Sequence, residues 1–337
     1  MAPDLTPIGM LEAGVNESFI WTDRYATPGE CKFKGPAGSK NLNLLQPGNI
    51  LSISHSPRLM MIEDHLNQTH REQGATLTIN AKGIENFLIN RFVPNGYTAG
   101  KNTIPTLIYN LLSKVCVAGA GSSPNDIIPN LIVPESGSGV MAEVDFTAGS
   151  NLLSVFQELA NSANMGLKVT YSEVTKKLFF EVYSGSELDI TFSPAMGTLI
   201  DESYFLAITD HYNVAYVRSD THNIFVGPGV NLTGFNRRVL YVDGSGINVT
   251  TANWQDKFTQ KGLEELAKRK KKSIFDGTVD PDGVYQYGRD YNLGDIVTIS
   301  DTWGHSSKAR VAEFIWSHDS QGIQSYPSFT AVNPEES

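Results

Sequence analysis

The chain lacks the features that mark several large protein classes. Its 337 residues contain no run of 18 apolar residues, so the sequence offers no candidate membrane-spanning helix. Residues 1–14 have neither a basic start nor a long apolar core, and no secretory signal is expected there. Cysteine is scarce, because Cys31 and Cys116 are the only two and form no CxxC pair. We expect two reduced, partly buried thiols made in a cytoplasm, and nothing in the sequence favours the alternative of a disulfide.

Positive charge is also in short supply. The sequence has 26 Lys and Arg against 36 Asp and Glu, which gives a formal net charge of −10 at pH 7. Proteins that bind duplex DNA concentrate Lys and Arg to neutralise phosphates. The charge balance therefore argues against tight nucleic-acid binding, although it allows a protein that stands near DNA without adhering to it.

The residue patterns of catalytic and metal sites are absent as well. No HExxH, no CxxC…HxxxH and no G-x-S-x-G occurs. His65 and His70 are five residues apart, which is the wrong spacing for one face of a helix. We therefore expect no catalytic, cofactor-binding or metal-ligating residues and no cofactor. The histidines, each interpreted as a surface or turn residue, are His55, His65, His70, His211, His222, His305 and His318.

Three short motifs can each be interpreted either as a functional site or as an ordinary structural element. Residues 96–101 (GYTAGK) are one residue short of a phosphate-binding loop, and Asn102 stands where Ser or Thr would hold magnesium, so a loop before a helix is favoured. Residues 280–283 (DPDG) could suggest calcium, but the pattern is typical of a hairpin turn. The basic run Lys268–Lys272 suggests either a nucleic-acid or membrane patch or, as we favour, a helix C-terminus.

Hydrophobic periodicity predicts a chain rich in β-strands, with turns at residues 27–29 and 46–49. Residues 59–66 and 75–80 are expected to form a long hairpin, since apolar and polar residues alternate over 75–80. The other predicted strands are 18–25, 31–34, 50–54, 188–192, 213–218, 224–226, 239–242, 274–279, 285–287, 295–300, 309–317 and 325–331.

Helical patterns interrupt the strands and cluster between residues 83 and 185. Helices are predicted at 83–91, at 104–117 and at 151–164, the last with Ser150 as N-cap and Gly166 at its end. A hairpin of 167–171 and 177–183 completes this inserted α+β region. A fourth helix is predicted at 254–271, with Asn253 as N-cap and with an apolar face of Phe258, Leu263, Leu266 and Ala267.

Several longer segments, in this order and spacing, resemble a known family. They are residues 21–25 (WTDRY), 28–30, 44–49, 190–194, 237–243, 262–266, 275–277 and 287–299 (YGRDYNLGDIVTI). The set is similar to siphovirus tail proteins of phages and prophages of Gram-positive bacteria, which look like the baseplate hub of contractile-tailed phages. The resemblance spans about residues 15–330. The loops at 101–121 and 135–140 match no motif of the family.

The resemblance implies a structural protein of the virion. Hubs of this type are homotrimeric rings at the distal end of the tail tube, and each subunit carries two β-barrel domains similar to the tube subunit. Expected partners are the distal tail protein ring, the tape-measure protein, and a receptor-binding or spike protein, with DNA only passing through the lumen. The family has no catalytic residues to transfer to this chain.

The expected fold is therefore a β-rich α+β fold with two tail-tube-like antiparallel β-barrel domains and an inserted α+β domain. The expected boundaries are 1–82 with 186–250 for one barrel, 83–185 for the insertion, and 251–337 for a helix with the other barrel. The alternatives are a tail-associated cell-wall hydrolase and a host-glycan-binding module. Exposed Trp303 and Trp316 would favour glycan binding.

Overall fold

A computed structural model gives the fold. It describes residues 1–11, 18–70, 74–117, 119, 123–250, 252–279, 284–303, 306–319 and 322–332. The predicted turn at 280–283 and His305 lie outside these residues. The β-rich α+β class is confirmed, because the described residues form 19 strands interspersed with four α-helices.

The strands agree closely with the predicted positions, although most are longer. The predicted hairpin of 59–66 and 75–80 is present and extends over β4 and β5. The strands are β1 Ser18–Arg24, β2 Glu30–Pro36, β3 Ile50–Ile53, β4 Ser56–His70, β5 Gly74–Gly83, β6 Tyr97–Thr103, β7 Leu131–Ile132, β8 Met141–Phe146, β9 Gly166–Ser172, β10 Lys177–Tyr183, β11 Glu187–Phe192, β12 Leu199–Ala207, β13 Val214–Arg218, β14 Asn223–Val226, β15 Val239–Asp243, β16 Lys272–Val279, β17 Ile296–Ser300, β18 Ser306–Asp319 and β19 Gly322–Ala331.

The helices depart from prediction mainly at their ends. The α-helices are α1 Ser39–Leu44, α2 Ile104–Cys116, α3 Leu152–Ser162 and α4 Trp254–Ala267, and a 3-10 helix spans Ile84–Asn90 where an α-helix is predicted. The N-cap of α3 is Asn151 rather than Ser150, because its side chain accepts a hydrogen bond from the Ser154 amide at 3.1 Å. Asn164, with a φ of 56°, rather than Gly166, turns the chain after α3.

Four further expectations are wrong. Residues 97–103 form β6, paired with β8, and not a loop, because β8 offers the antiparallel partner Tyr97↔Phe146 that the Gly/Ser-rich neighbourhood conceals. Helix α4 ends at Ala267, four residues early, since the chain enters β16 at Lys272. Asn253 makes no side-chain capping bond. Tyr287 makes only an isolated bridge to Tyr291, and residues 285–287 are no strand.

One large sheet organises the molecule. Eight of its strands follow each other in the order β12-β16-β19-β18-β1-β2-β5-β4. A buried row of side chains crosses its centre, because Trp21 of β1 lies opposite Trp316 of β18 and opposite Cys31 of β2. The row continues from Cys31 to Ala81 and then to Ile62. The two longest hairpins, β4–β5 and β18–β19, therefore belong to one surface.

The buried apolar residues form four cores. The first, around Trp21 and Ile79, lies in β1, β2, β4 and β5. The second unites α2, α3, β9 and β10 of the predicted insertion. The third joins β11, β17, β18 and β19 around Phe192, and the fourth packs α4 on the sheet β14-β13-β15 around Phe258.

These cores group the chain differently from the expected domain boundaries. Residues 188–199 share a core with residues 279–329, not with residues 1–82. The apolar side chains of residues 212–266 form a core of their own, although α4 also contacts α3 and β8. A strand shared by two predicted domains is invisible in sequence, because the pairing of β11 with β17 joins residues about a hundred positions apart.

Candidate functional site

The predicted histidine positions do not assemble a site. Among the described residues no group of three His, Cys, Asp or Glu side chains is arranged to hold a metal ion. His65 uses Nδ1 to contact the Leu45 carbonyl at 2.8 Å, and His222 packs against Trp254 with ring centroids 4.4 Å apart. No helix in the described part of the chain is long and apolar enough to cross a membrane.

The short motifs also have structural roles. Lys268 caps α4 and bonds to Glu158 at 2.8 Å and to Glu265 at 3.0 Å. That placement agrees with the helix C-terminus interpretation. The thiols of Cys31 and Cys116 are free and buried, and burial raises the pKa of Cys31 to about 12. Trp303 is exposed, whereas Trp316 is half-buried and packs edge-on against Phe314 of the same strand.

The most distinctive polar cluster is a buried junction where β1, β4 and the inserted region meet. Arg58 is 4% exposed, and its guanidinium donates to the Arg24 carbonyl at 2.7 Å and to the Tyr183 hydroxyl at 3.0 Å. Asp23 is 1% exposed and accepts from Trp21 Nε1 at 2.9 Å and from Ser56 Oγ at 2.6 Å. A charged pair buried in this way restricts how the three regions can pack.

Tyr25 fastens the same junction from the other side. Its hydroxyl donates to the Asn164 carbonyl at 2.8 Å, and its ring packs against Gly166 and Gly294. A Cβ atom at Gly166 would lie 2.5 Å from that ring, and one at Gly294 would lie 2.3 Å from it. Gly166 and Gly294 therefore leave room for the Tyr25 ring, and hydrophobic periodicity alone does not reveal this contact.

A half-exposed ionic network surrounds the base of the sheet. Arg24 donates to Glu30 at 2.8 Å and to Glu313 at 2.6 Å, and Lys82 donates to Glu30 at 2.9 Å. Hydrogen bonding from Arg24 is the main reason why the pKa of Glu30 falls to about 2. The network links β1 to the neighbouring strand β2 and also to β18, which is distant from both in sequence.

A polar cleft of about 390 Å³ opens between α3, α4, β8 and β15. Lys257 is buried there, 3.5 Å from Asp145. Burial raises the pKa of Glu264 to about 7, although the Gln260 amide donates to it at 3.1 Å. A carboxyl that titrates near neutrality can act as a general acid or base, so the cleft is the place where an enzymatic alternative must be tested.

The exposed ends of the two long hairpins share a charge character. Residues 63–81 carry Glu63, Asp64 and Glu72 against one basic residue, Arg71. Residues 311–319 and 322–331 carry Glu313 and Asp319 and no Lys or Arg. Lys32 and Lys34 of β2 are exposed cations between the hairpins, so the neutral-to-acidic character belongs to the hairpin ends and not to the whole sheet.

A sheet-centred fold without an assembled metal or histidine site agrees with what comparison finds. The family described as "Siphovirus ReqiPepy6 Gp37-like protein" matches residues 3–329 of the chain. This chain belongs to that family of siphovirus tail proteins. No curated protein sequence matches it. The predicted resemblance to siphovirus tail proteins is thereby confirmed.

Solved tail proteins share the fold at low sequence identity. The 43 kDa tail protein of prophage MuSo2 from Shewanella oneidensis matches with a TM-score of 0.60 and 14% identity, over 95% of each chain. The tail protein of Neisseria meningitidis MC58 matches with a TM-score of 0.58 and 12% identity, over 94% of this chain and 92% of that one. Prophage tail protein gp18 of Listeria monocytogenes EGD-e has a TM-score of 0.53 and 13% identity, over 96% and 91%.

Proposed function

We propose that this phage tail protein is the hub at the distal tip of the tail, where it forms a homotrimeric ring that continues the tail tube. The observation that carries the proposal is the eight-stranded run of the large sheet, in which every neighbouring pair is antiparallel. Strand direction therefore alternates along this run, and its two end strands, β12 and β4, run in opposite directions, although the sheet continues from β4 to β9. Copies of the sheet can then join edge to edge in an antiparallel manner.

The two outer strands have edges available for such joining. Within the described residues, β12 pairs only with β16. Strand β3 pairs with β4 from Ser56 to Met61, and β9 pairs with β4 at Arg58, so among the described residues the distal half of β4 pairs only with β5. Unpaired edges template further strands unless they are covered. A head-to-tail contact of this kind ends in a finite ring when the rotation closes.

The number three comes from the resemblance, because a trimer must match a sixfold tube by offering two similar domains per subunit. The two long hairpins support that duplication. Strands β4 and β5 have 15 and 10 residues, and β18 and β19 have 14 and 10. We propose that each hairpin belongs to one tube-like β-barrel domain: residues 1–83 for the first, and residues 186–207 with 272–332 for the second.

The proposed ring surrounds the path of the genome. The neutral-to-acidic hairpins suit a lumen through which DNA passes, since each phosphate contact by Lys or Arg would add salt-dependent affinity. The distal tail protein ring and the tape-measure protein would contact the hub on the tube side, and a receptor-binding or spike protein on the other. The protein would act without catalysis.

A reconstruction of assembled tails tests the ring directly. Three copies of this chain around a central channel are expected, and six equivalent copies or a single axial copy would refute the proposal. A disulfide test probes the edges: Ile200 of β12 and Leu66 of β4 are 60% and 52% exposed. The double variant I200C/L66C is expected to give covalent trimers on oxidised tails, whereas either single variant is not.

The cell-wall hydrolase remains the second candidate, because of Glu264 in the polar cleft. Release of soluble fragments from peptidoglycan by the purified chain tests it. We expect no release. Release by the wild type that disappears in E264Q, while the variant keeps the wild-type melting temperature, would replace the structural proposal with the enzymatic one.

A further inference from the structure

Glu85 occupies an unusual position beside the buried junction. It is the second residue of the 3-10 helix Ile84–Asn90, which leads from β5 into the inserted region, and it is 2% exposed. Neither carboxyl oxygen has a hydrogen-bond partner of normal geometry among the described residues. The nearest cation is Arg58, whose Nη1 lies 3.8 Å from Glu85 Oε1, too far for a hydrogen bond.

The surrounding groups leave Glu85 without a counter-charge of its own. Arg58 directs its two terminal nitrogens to the Arg24 carbonyl and to the Tyr183 hydroxyl. Asp23 already receives two hydrogen bonds, which stabilise its charged form. One guanidinium therefore faces two buried carboxyls: it lies within ion-pair distance of Glu85, but only Asp23 has hydrogen bonds that stabilise its charged form.

We propose that Glu85 is protonated in the folded protein and serves as a pH-sensitive latch that holds the inserted region (residues 84–185) against β1 and β4. A second ionised carboxyl in this dry site would be a buried charge without compensation, which proteins avoid by neutralising the group. The inference is independent of the proposed hub function.

The groups around Glu85 define the direction of the effect. Asp23 faces it from β1, Arg58 from β4, Tyr183 from β10, and the backbone N–H of Gly29 from the turn after β1. Burial raises the pKa of Glu85 above its ordinary 4.5, and Arg58 opposes that rise. Since the folded protein holds the proton more tightly than the unfolded chain, stability is lost as pH rises above 4.5 toward the raised pKa.

The surrounding backbone leaves little space into which the Glu85 carboxyl could move. A Cβ atom at Gly83 would lie 2.7 Å from Glu85 Oε1 and 2.8 Å from the Gly29 amide nitrogen, so the space on that side is closed. Ile84 and Leu88 of the same helix belong to the core of the inserted region. Ionisation of Glu85 is therefore relieved only by movement of this helix, which loosens the region it leads into.

Equilibrium unfolding of the full chain tests the latch. Above pH 4.5 the unfolded-to-folded ratio of the wild type is expected to rise by up to about tenfold per pH unit through Glu85, until its carboxyl ionises in the folded protein. E85Q, which stays neutral, should flatten this dependence and exceed the wild type in stability at alkaline pH. The matched control E173Q alters an exposed carboxyl on the β9–β10 turn and should keep the wild-type slope.

Two further measurements separate the latch from a general packing defect. Hydrogen exchange, corrected for intrinsic rates, should accelerate with pH in residues 84–90 of the wild type and less in E85Q. Glu264, whose pKa is about 7, contributes a protonated-carboxyl infrared band to both proteins at neutral pH, so the expected signal of Glu85 is the part of that band lost in E85Q. If no part of the band is lost in E85Q, or if E85Q keeps the wild-type pH slope, the proposal is wrong.

Discussion

The bases of the two long hairpins are held by different chemistry. The β4–β5 hairpin is anchored by charge, through Arg58 and Asp23 in the buried junction. The β18–β19 hairpin is anchored by aromatic rings, because Phe314 stacks on Tyr287 with centroids 3.9 Å apart. Phe192 contacts Phe329 of β19 at a centroid distance of 5.3 Å.

The difference separates two ways of fixing a β-sheet on its neighbours. Aromatic packing stabilises through buried area and tolerates any pH. A buried charged pair contributes little net stability but is specific, since removal of one partner leaves the other charge uncompensated. We infer that the aromatic anchor supplies stability and that the charged anchor fixes the orientation of the inserted region.

The largest loss of stability is expected from a substitution that removes part of the aromatic anchor. Phe192 is fully buried and contacts three rings, those of Tyr285, Tyr291 and Phe329. F192A is expected to destabilise the protein by about 3–5 kcal/mol, because it leaves a cavity among them. Denaturant unfolding measures the change, which should be the same at pH 5 and at pH 8. A pH-dependent loss would show that the two anchors are not separate.

The next largest loss of stability is expected from a substitution in the charged anchor. R58M leaves Asp23 buried without its counter-charge, and a loss of about 3 kcal/mol is expected at neutral pH. Since burial raises the pKa of Asp23, the loss should shrink as pH falls and the carboxyl is protonated. Unfolding at several pH values checks this. R289M, which alters an exposed arginine, is the control and should leave stability unchanged.

A smaller effect concerns the half-exposed network at the base of the sheet. The pKa of Glu30 is lowered to about 2, so its contribution is present above pH 4.5 and is lost as pH falls toward 2. Because its side chain is 26% exposed, solvent screening limits this contribution to about 1 kcal/mol. E30Q should lose that amount at pH 7 and nothing at pH 2. Equal losses at both values would exclude the ion pairs as the cause.

The sequence predicts the strands better than the contacts between distant strands. Alternation identifies β4 and β5, since their pairing is local. It does not identify the pairing of β1 with β18, which joins residues almost three hundred positions apart. The charged junction was missed for the same reason, because Asp23, Arg58 and Glu85 lie in three separate segments. The one available signal was Asp23, a carboxylate inside the predicted strand 18–25.

The smallest expected effect is on DNA binding, and it concerns the acidic character that the two hairpins share. The distal half of each hairpin carries more acidic than basic residues: Glu63, Asp64 and Glu72 against Arg71 in the first, and Glu313 and Asp319 without Lys or Arg in the second. If these surfaces line the path of DNA, the wild-type chain should not retain duplex DNA at physiological salt, since few phosphates would be neutralised. The charge-reversal variant E63K/D64K should bind duplex DNA at low salt and lose it as salt rises. Its melting temperature should stay close to that of the wild type, because both side chains are exposed.

Electrophoretic mobility shifts over a salt series measure this difference. E173K, which adds one of the same charge changes on the β9–β10 turn, is the control and should bind less DNA than the hairpin variant. Tight binding of duplex DNA by the wild type would contradict the neutral-to-acidic lumen. It would also direct attention to the cations outside the hairpins, Lys32 and Lys34 on β2, which share the large sheet with both hairpins. In that case the sheet would bind the DNA, and the acidic residues of the hairpin ends would weaken that binding.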